Sequence, residues 1–212
     1  FLERTLADGA VVAVGMGRNV GAVADPVAGP PRSSCTFVSA IGGSPQVDAP
    51  VNPNDICRRL AERLGGRAEG LYAPAYAESA RVRAAFVRHE DVRATLARAR
   101  RAGFALIGVG DARDDSAVVR MGCFSVREMR RMRDAGAVGD ILGSFFDVDG
   151  GPVAGGMEAR VVGLDRDDLR RVPCVVAALS EARKGQAALG ALRTGIVDVF
   201  VTSIGIARRV LA

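Results

Sequence analysis

Short apolar, β-branched runs recur along this chain, and Arg-studded stretches with helical periodicity lie between most of them. That alternation constrains the fold more than any other feature. The runs cover residues 10–14, 35–40, 68–72, 104–109, 174–179 and 197–202. They are apolar on both faces, which predicts an α/β fold: a mostly parallel, Rossmann-like sheet with helices on both sides. Several helix ends are readable. Asn52 followed by Pro53 reads as an N-cap with proline at the first helical position; Ile56, Leu60 and Leu64 then share a face, and Gly65-Gly66 stop the helix. Residues 90–102 keep Val92, Leu96 and Ala99 on one side. Ser125 with Glu128 is a capping box opening an Arg-rich helix, and Asp165 with Asp168 caps a shorter one. Further helices are expected over 182–193 and from about Ser203. One stretch breaks the rhythm: residues 145–151, followed by 157–163, read as a small β-hairpin excursion turning at Asp149-Gly150.

Composition narrows the function classes. A chain of 212 residues, 49% hydrophobic and 25% charged, can bury a sizeable core and is not disordered. No apolar run reaches 18 residues, so neither a spanning helix nor a membrane partner is expected. The net charge is +5, and of 29 basic residues every one but Lys184 is arginine. This excess is spread thinly, as on a solvated surface, rather than gathered into a nucleic-acid footprint. Four scattered cysteines and one histidine, His89, argue against a zinc site or a disulfide framework. No secretory signal is visible, so the expected compartment is the cytoplasm. No linker or repeat divides residues 1–212, which read as one domain. The start at Phe1, already inside a structured pattern, suggests a domain excised from something longer.

In an open parallel sheet, ligands bind beyond the carboxyl ends of the strands. Five loops qualify. Gly15-Met16-Gly17-Arg18-Asn19 follows the first strand; its glycines permit close backbone approach, exposed N–H groups attract anions, and Arg18 and Asn19 add donors. Val20 replaces the third glycine of a dinucleotide fingerprint, and a tight structural turn is the competing reading. Ile41-Gly42-Gly43-Ser44 follows the second strand with the same logic, and Gly108-Val109-Gly110-Asp111 ends the fourth. Gly139-Asp140-Ile141-Leu142-Gly143 leads to Asp147 and Asp149, whose carboxylates suit sugar hydroxyls. A hairpin turn held by aspartates competes there. Finally, Ser180–Lys184 places the one lysine in the first turn of a helix, where the macrodipole disfavours a cation. A ligand contact and a solvated surface lysine are the two readings. With one histidine, no Cys–His pairing and no GxSxG elbow, nothing supports nucleophilic hydrolysis, and no cofactor is called for.

Taken in order, these motifs resemble a known family. Val14-Gly15-Met16-Gly17-Arg18-Asn19-Val20, Gly42-Gly43, Leu71-Tyr72-Ala73-Pro74-Ala75, Leu106-Ile107-Gly108-Val109-Gly110, Gly136-Ala137-Val138-Gly139-Asp140-Ile141, Phe145-Phe146-Asp147-Val148-Asp149-Gly150 and Lys184 ahead of Ala187-Ala188-Leu189-Gly190 are similar to the effector-binding domain of SorC-type bacterial sugar-binding transcriptional regulators, which overlap with regulators named DeoR. The resemblance runs from residue 10 to the C-terminus, and 136–150 is its most specific part. It implies a fold similar to ribose-5-phosphate isomerase and glucosamine-6-phosphate deaminase. It also implies a sugar or sugar phosphate bound as inducer, an upstream helix-turn-helix domain that contacts operator DNA, and a homodimer or homotetramer. Carried over by position, Gly15, Gly17, Arg18, Asn19, Gly42 and Gly43 would cradle phosphate or hydroxyls, Asp147 would hold hydroxyls, and Lys184 would meet an anionic or hydroxyl group. Gly110 and Asp140 complete the candidate set.

Three positions depart from the family pattern. Asn19 replaces Thr or Ser, Ser180-Glu181 replaces Gly-Gly, and Thr202-Ser203-Ile204 replaces Thr-Asp-Glu. A carboxylate 4–6 Å from a phosphate costs on the order of a few kcal/mol at an effective dielectric near 20. Glu181 therefore points away, pairs with Arg183, or marks a neutral effector. The expected function is a sugar-responsive regulatory domain rather than an enzyme. The alternative is a sugar-phosphate isomerase or deaminase using Asp140 and Asp147 as acid–base groups; a nucleotide- or CoA-binding module rests on fold analogy alone.

Overall fold

A computed structural model describes residues 1–27, 34–44 and 51–211. Each of the six apolar runs supplies a strand of one sheet. The chain lays down β1 (Val11–Val14), β2 (Thr36–Ser39), β3 (Arg67–Glu69) and β4 (Phe104–Gly108), then a detour through β5 (Gly110–Asp111), β6 (Gly139–Ile141) and β7 (Ser144–Phe146). β8 (Cys174–Leu179) and β9 (Val199–Thr202) complete the main sheet, whose order is β3-β2-β1-β4-β8-β9 with every neighbouring pair parallel. The detour strands form a separate three-stranded antiparallel sheet, β5-β6-β7.

Alternate residues of each strand point to opposite faces, and the two faces carry separate cores. Val12, Val14, Phe37, Leu106 and Val176 pack on one side under α1 (Leu2–Thr5), α2 (Arg18–Ala24) and α3 (Pro53–Leu64). Ala13, Val38, Ala105, Ile107, Val175 and Ala177 face the other. Between the later strands come α4 (Ala80–Arg88) and α5 (Glu90–Ala99), α6 (Ala117–Arg120) and α7 (Val126–Asp134), then α8 (Arg166–Arg170) and α9 (Gly185–Arg193), and α10 (Ile204–Leu211) follows β9. Of these, α5, α8, α9 and α10 cover the second face. A third cluster, with Val118, Phe124, Met129, Met132 and Phe145, joins α6 and α7 to the small sheet.

Capping chemistry sets the helix ends. Asn52 accepts the N–H of Asn54 at 3.0 Å ahead of Pro53, Gly65 closes α3 at φ 73°, and Ile56, Leu60 and Leu64 are fully buried along its inner face. Each such burial contributes roughly 1.5–3 kcal/mol. Both halves of the Ser125–Glu128 and Asp165–Asp168 capping boxes form. Asp168 is buried and also pairs with Arg100 and Arg171, each at 2.9 Å, which ties α8 to the end of α5. Ser79 caps α4 by accepting the Val82 N–H at 3.3 Å; the helix fully buries none of its residues, and Val82, Phe86 and Val87 pack half-buried beside Leu71, Val92 and Leu96.

Three boundaries differ from the sequence pattern. β3 ends at Glu69 because Leu71 donates its N–H to the Asn54 side chain on α3 instead of continuing the ladder. The helix expected over 182–193 opens as a 3-10 turn, Ala182–Lys184, before α9. The hairpin reverses at Leu142-Gly143, not at Asp149-Gly150: β6 and β7 pair around two residues at φ 49° and 80°. Leucine is disfavoured at positive φ by roughly 1–2 kcal/mol, but here its side chain is buried in the core, which offsets that cost. Asp149-Gly150 makes a second, local turn, with Asp147 accepting the N–H groups of Asp149 and Gly151. Residues 157–163 hold a 3-10 turn, Glu158–Arg160, rather than a strand partner for that turn.

Beyond β2 the chain is locked by backbone contacts. Gly42 donates to Val162 O, Gly43 donates to Ala73 O, and Gly43 O accepts from Ala75. A Cβ on Gly42 would lie 2.4 Å from Ala73 O and 2.6 Å from the Pro74 carbonyl. Gly42→Ala is therefore expected to destabilise the fold by about 1–3 kcal/mol, seen as a lower urea midpoint at unchanged slope. Gly103→Ala, where an added Cβ meets nothing within 4 Å, is the control; an equal loss in both variants would contradict this account.

Candidate functional site

The strand order winds outward from β1 in one direction and from β4 in the other. Between their carboxyl ends no crossover fills the gap, and ligands of open α/β sheets bind at such a switch point. A cavity of about 370 Å³ lies there, within the size range of small-molecule sites. Its apolar lining includes Met16 beyond β1, Ile41 beyond β2, Val118 on α6 and Leu142 at the hairpin turn. Tyr76 adds a half-buried ring, edge-on to Phe124 with centroids 4.7 Å apart.

Two carboxylates face the cavity from the small sheet. β4 leaves the parallel sheet at Gly108 and joins β6 as β5, in a register that sets Gly110 opposite Asp140 and Asp111 opposite Gly139. Gly110 is required here, since a Cβ at that position would meet Asp140 Oδ1 at 1.8 Å. Asp140 is buried, and its Oδ2 accepts the Gly143 N–H at 2.9 Å, closing the hairpin turn. Burial pushes its carboxyl up to about 6; the Gly143 bond and the Lys184 charge oppose that rise, and the neighbouring Asp111 reinforces it. Asp111 is 4% exposed, and its Oδ2 accepts no hydrogen bond. The nearest cation, Arg183, stands 3.7 Å from that oxygen and donates instead to Asp115 at 2.5 Å.

A second polar group lines the cavity from the turn after β8. Lys184 is buried; its Nζ donates to Val109 O at 3.0 Å and lies 3.5 Å from Glu181 Oε1. The same Glu181 carboxylate accepts from Asn19 Nδ2 at 2.8 Å and pairs with Arg18 at 3.2 Å. Ser180 in turn donates to Asn19 Oδ1 at 2.6 Å. Burial alone would raise the Glu181 carboxyl, but the Asn19 bond and the Lys184 and Arg18 charges hold it below the ordinary carboxylate value. Glu181 thus faces Arg18, Asn19 and Lys184, not Arg183. Lys184 is not a solvated surface residue.

Six candidates named from sequence come together around the cavity: Gly17, Arg18, Asn19, Gly110, Asp140 and Lys184. Gly17 holds φ 118°, open only to glycine, where its N–H meets Val51 O. Gly15, Gly42, Gly43 and Asp147 do not line it. Gly15 makes room for Leu142 and β4, Gly42 and Gly43 join the loop at Ala73-Pro74, and Asp147 holds its own turn. Asp111 lines the cavity beside the candidates without being one of them; its place there follows from the β5–β6 pairing, which no local sequence pattern carries. Tyr76 carried no motif at all. Among the described residues no group of three His, Cys, Asp or Glu side chains is arranged to hold a metal, and no helix is long and apolar enough to cross a membrane.

A parallel α/β sheet with a walled cavity at its switch point, lined by buried carboxylates and a buried ammonium, defines a small-molecule-binding domain. The whole chain, residues 1–212, matches the family model Sugar-bind, described as a "Putative sugar-binding domain", and the chain belongs to this family. It is 29% identical over 213 residues to YjhU, an uncharacterised transcriptional regulator of Escherichia coli (strain K12), covering all of this chain and 64% of that protein. It thus spans less than two thirds of that relative's length. A crystal structure described as "Putative Sugar-Binding Domain of Transcriptional Repressor" from Vibrio fischeri is 45% identical with a TM-score of 0.90, over 99% of this chain and 82% of that one. The full-length sorbitol operon regulator SorC from Klebsiella pneumoniae shares the fold at a TM-score of 0.91 and 22% identity, over 100% of this chain and 68% of that one. The SorC/DeoR resemblance read from the motifs is borne out.

Because the native state holds the Asp140 proton more tightly than the unfolded chain does, its contribution to stability falls as pH rises from the ordinary 3.8 to about 6 and is level above that. Removing the charge in Asp140→Asn should make the variant gain stability relative to wild type across that window, by on the order of 2–3 kcal/mol in total. Urea denaturation of both proteins from pH 4 to pH 8 measures it. A difference that does not change with pH would contradict the burial of a charged Asp140.

Proposed function

We propose that residues 1–212 form the effector-binding and oligomerisation domain of a sugar-responsive transcriptional regulator, and that the effector, a sugar or sugar phosphate, binds in the switch-point cavity. The observation that carries this reading is the pair of buried carboxylates lining that cavity, Asp140 and Asp111, the second with an Oδ2 that accepts no hydrogen bond and has only the Arg183 charge at 3.7 Å. A buried carboxylate oxygen without a donor is costly, and a sugar hydroxyl is the complementary group. Apolar walls such as Met16 and Leu142 suit the C–H faces of a sugar ring. In this reading the domain binds its ligand and does not convert it, in keeping with relatives named as regulators. Effector binding favours one arrangement of a homodimer or homotetramer, and the coupling to operator DNA, through a helix-turn-helix domain outside this chain, equals the ligand's differential affinity for the two states. Such a protein works in the cytoplasm.

A thermal-shift screen of sugars, sugar alcohols and sugar phosphates tests the reading. A ligand at 100 times its Kd stabilises by about 2.7 kcal/mol. For whichever compound binds, Asp111→Asn is expected to weaken affinity by about 1–3 kcal/mol through loss of a charged acceptor, with the unliganded stability retained or raised. Lys184→Ala should abolish the response, since it removes the ammonium between the Val109 carbonyl and Glu181. Full binding by both variants would place the ligand elsewhere, and conversion of any screened sugar phosphate would favour an enzyme.

A further inference from the structure

We propose that the ligand carries no phosphate or other anionic group: Glu181 occupies, from within the chain, the place between Arg18, Asn19 and Lys184 that a ligand's anion would take. The proposal rests on the sugar-binding reading above and specifies its substrate class, an uncharged polyhydroxy compound such as an unphosphorylated sugar or sugar alcohol.

Three donors from two separate segments converge on one carboxylate. Asn19 Nδ2 reaches it at 2.8 Å, Arg18 at 3.2 Å and Lys184 Nζ at 3.5 Å. Asn19 and Arg18 stand at the start of α2, whereas Glu181 and Lys184 flank the turn after β8. The other inner cation, Arg183, is taken by Asp115 and faces Asp111. Arg120 donates to the Asp115 carbonyl and is exposed at the rim, where solvent screens its charge. Of the four cations that line the cavity among the described residues, Arg18, Arg183 and Lys184 therefore have carboxylate partners within the chain, and the exposed Arg120 does not. What remains unanswered is acceptor capacity at the buried Asp111 Oδ2. A ligand that fits this balance supplies O–H donors and no negative charge. A phosphate would have to expel Glu181 from three partners or sit against three carboxylates, Asp111, Asp140 and Glu181.

Inorganic phosphate and the pair fructose and fructose 6-phosphate, titrated into wild type and Glu181→Gln by calorimetry at low ionic strength, test the proposal without knowledge of the natural effector. Wild type should show no binding of phosphate or fructose 6-phosphate at millimolar concentration. Glu181→Gln frees Arg18 and Lys184 and should gain at least about tenfold in affinity for both anions, a gain lost at high salt. Binding of either anion by wild type as tightly as by the variant would overturn the proposal, as would a folded Glu181→Gln that gains nothing. Glu181→Ser, with circular dichroism as the check of folding, stands in if the glutamine variant fails to fold. The two readings fail separately: a sugar phosphate that emerges from the effector screen as a wild-type ligand removes the uncharged class but leaves the effector-binding role. A screen in which no sugar, sugar alcohol or sugar phosphate binds removes that role and, with it, this proposal.

Discussion

Parallel strands need crossover connections, and the direction in which those connections wind decides where a cavity opens. From β1 the chain builds outward to β2 and β3; from β4 it builds the other way to β8 and β9. The carboxyl ends of β1 and β4 are left side by side with nothing crossing above them. Glycines at both ends exploit the gap. Gly17 turns the chain away from β1 at a positive φ, and Gly108 releases β4 into the small antiparallel sheet. That release brings Asp111 and Asp140 to the cavity, and the turn after β8 brings Glu181 and Lys184 to it, with Lys184 Nζ on the Val109 carbonyl between β4 and β5.

The site is an arrangement of charges compensated from inside the chain. Lys184 is buried yet paired with Glu181 and hydrogen-bonded to Val109 O, and Asp140 is tied to Gly143, so neither is left as an isolated buried ion. Asp111 is the exception. Its Oδ2 has the Arg183 charge at 3.7 Å but no hydrogen-bond donor, so the site retains a deficit of donors at one point. Ser116 Oγ, Arg166 Nε and Thr202 Oγ1 are also buried without a hydrogen bond, but of the four residues Asp111 is the one that lines the cavity, where a ligand can complete the structure.

The sheet was legible because burial on both faces makes each strand a short, continuously apolar run, as in Val11–Val14 and Cys174–Leu179. Helix ends were legible where capping residues stand at fixed spacing, as at Asn52-Pro53 and Ser125–Glu128. The hairpin turn was not, because Leu142 sits at positive φ for the sake of its buried side chain, whereas Asp149-Gly150 carries the stronger local turn signal. Gly17, Gly110, Asp140 and Lys184 could be named from loop position and residue type. Gly15 and Gly42 could not be told from them, since a glycine needed for close packing and one needed beside a ligand look alike in sequence. Asp111 and Tyr76 depend on contacts between segments distant in sequence, the β5–β6 register and the packing of Tyr76 on Phe124, which no local pattern encodes.

A crystal structure of this chain soaked with the sugar or sugar alcohol that gives the largest thermal shift tests the central claim most directly. The account predicts a ligand in the β1–β4 gap with a hydroxyl within hydrogen-bond distance of Asp111 Oδ2, while Glu181 keeps its contacts to Asn19 and Lys184. A ligand bound outside that gap, or one that leaves Asp111 Oδ2 without a donor, would contradict it.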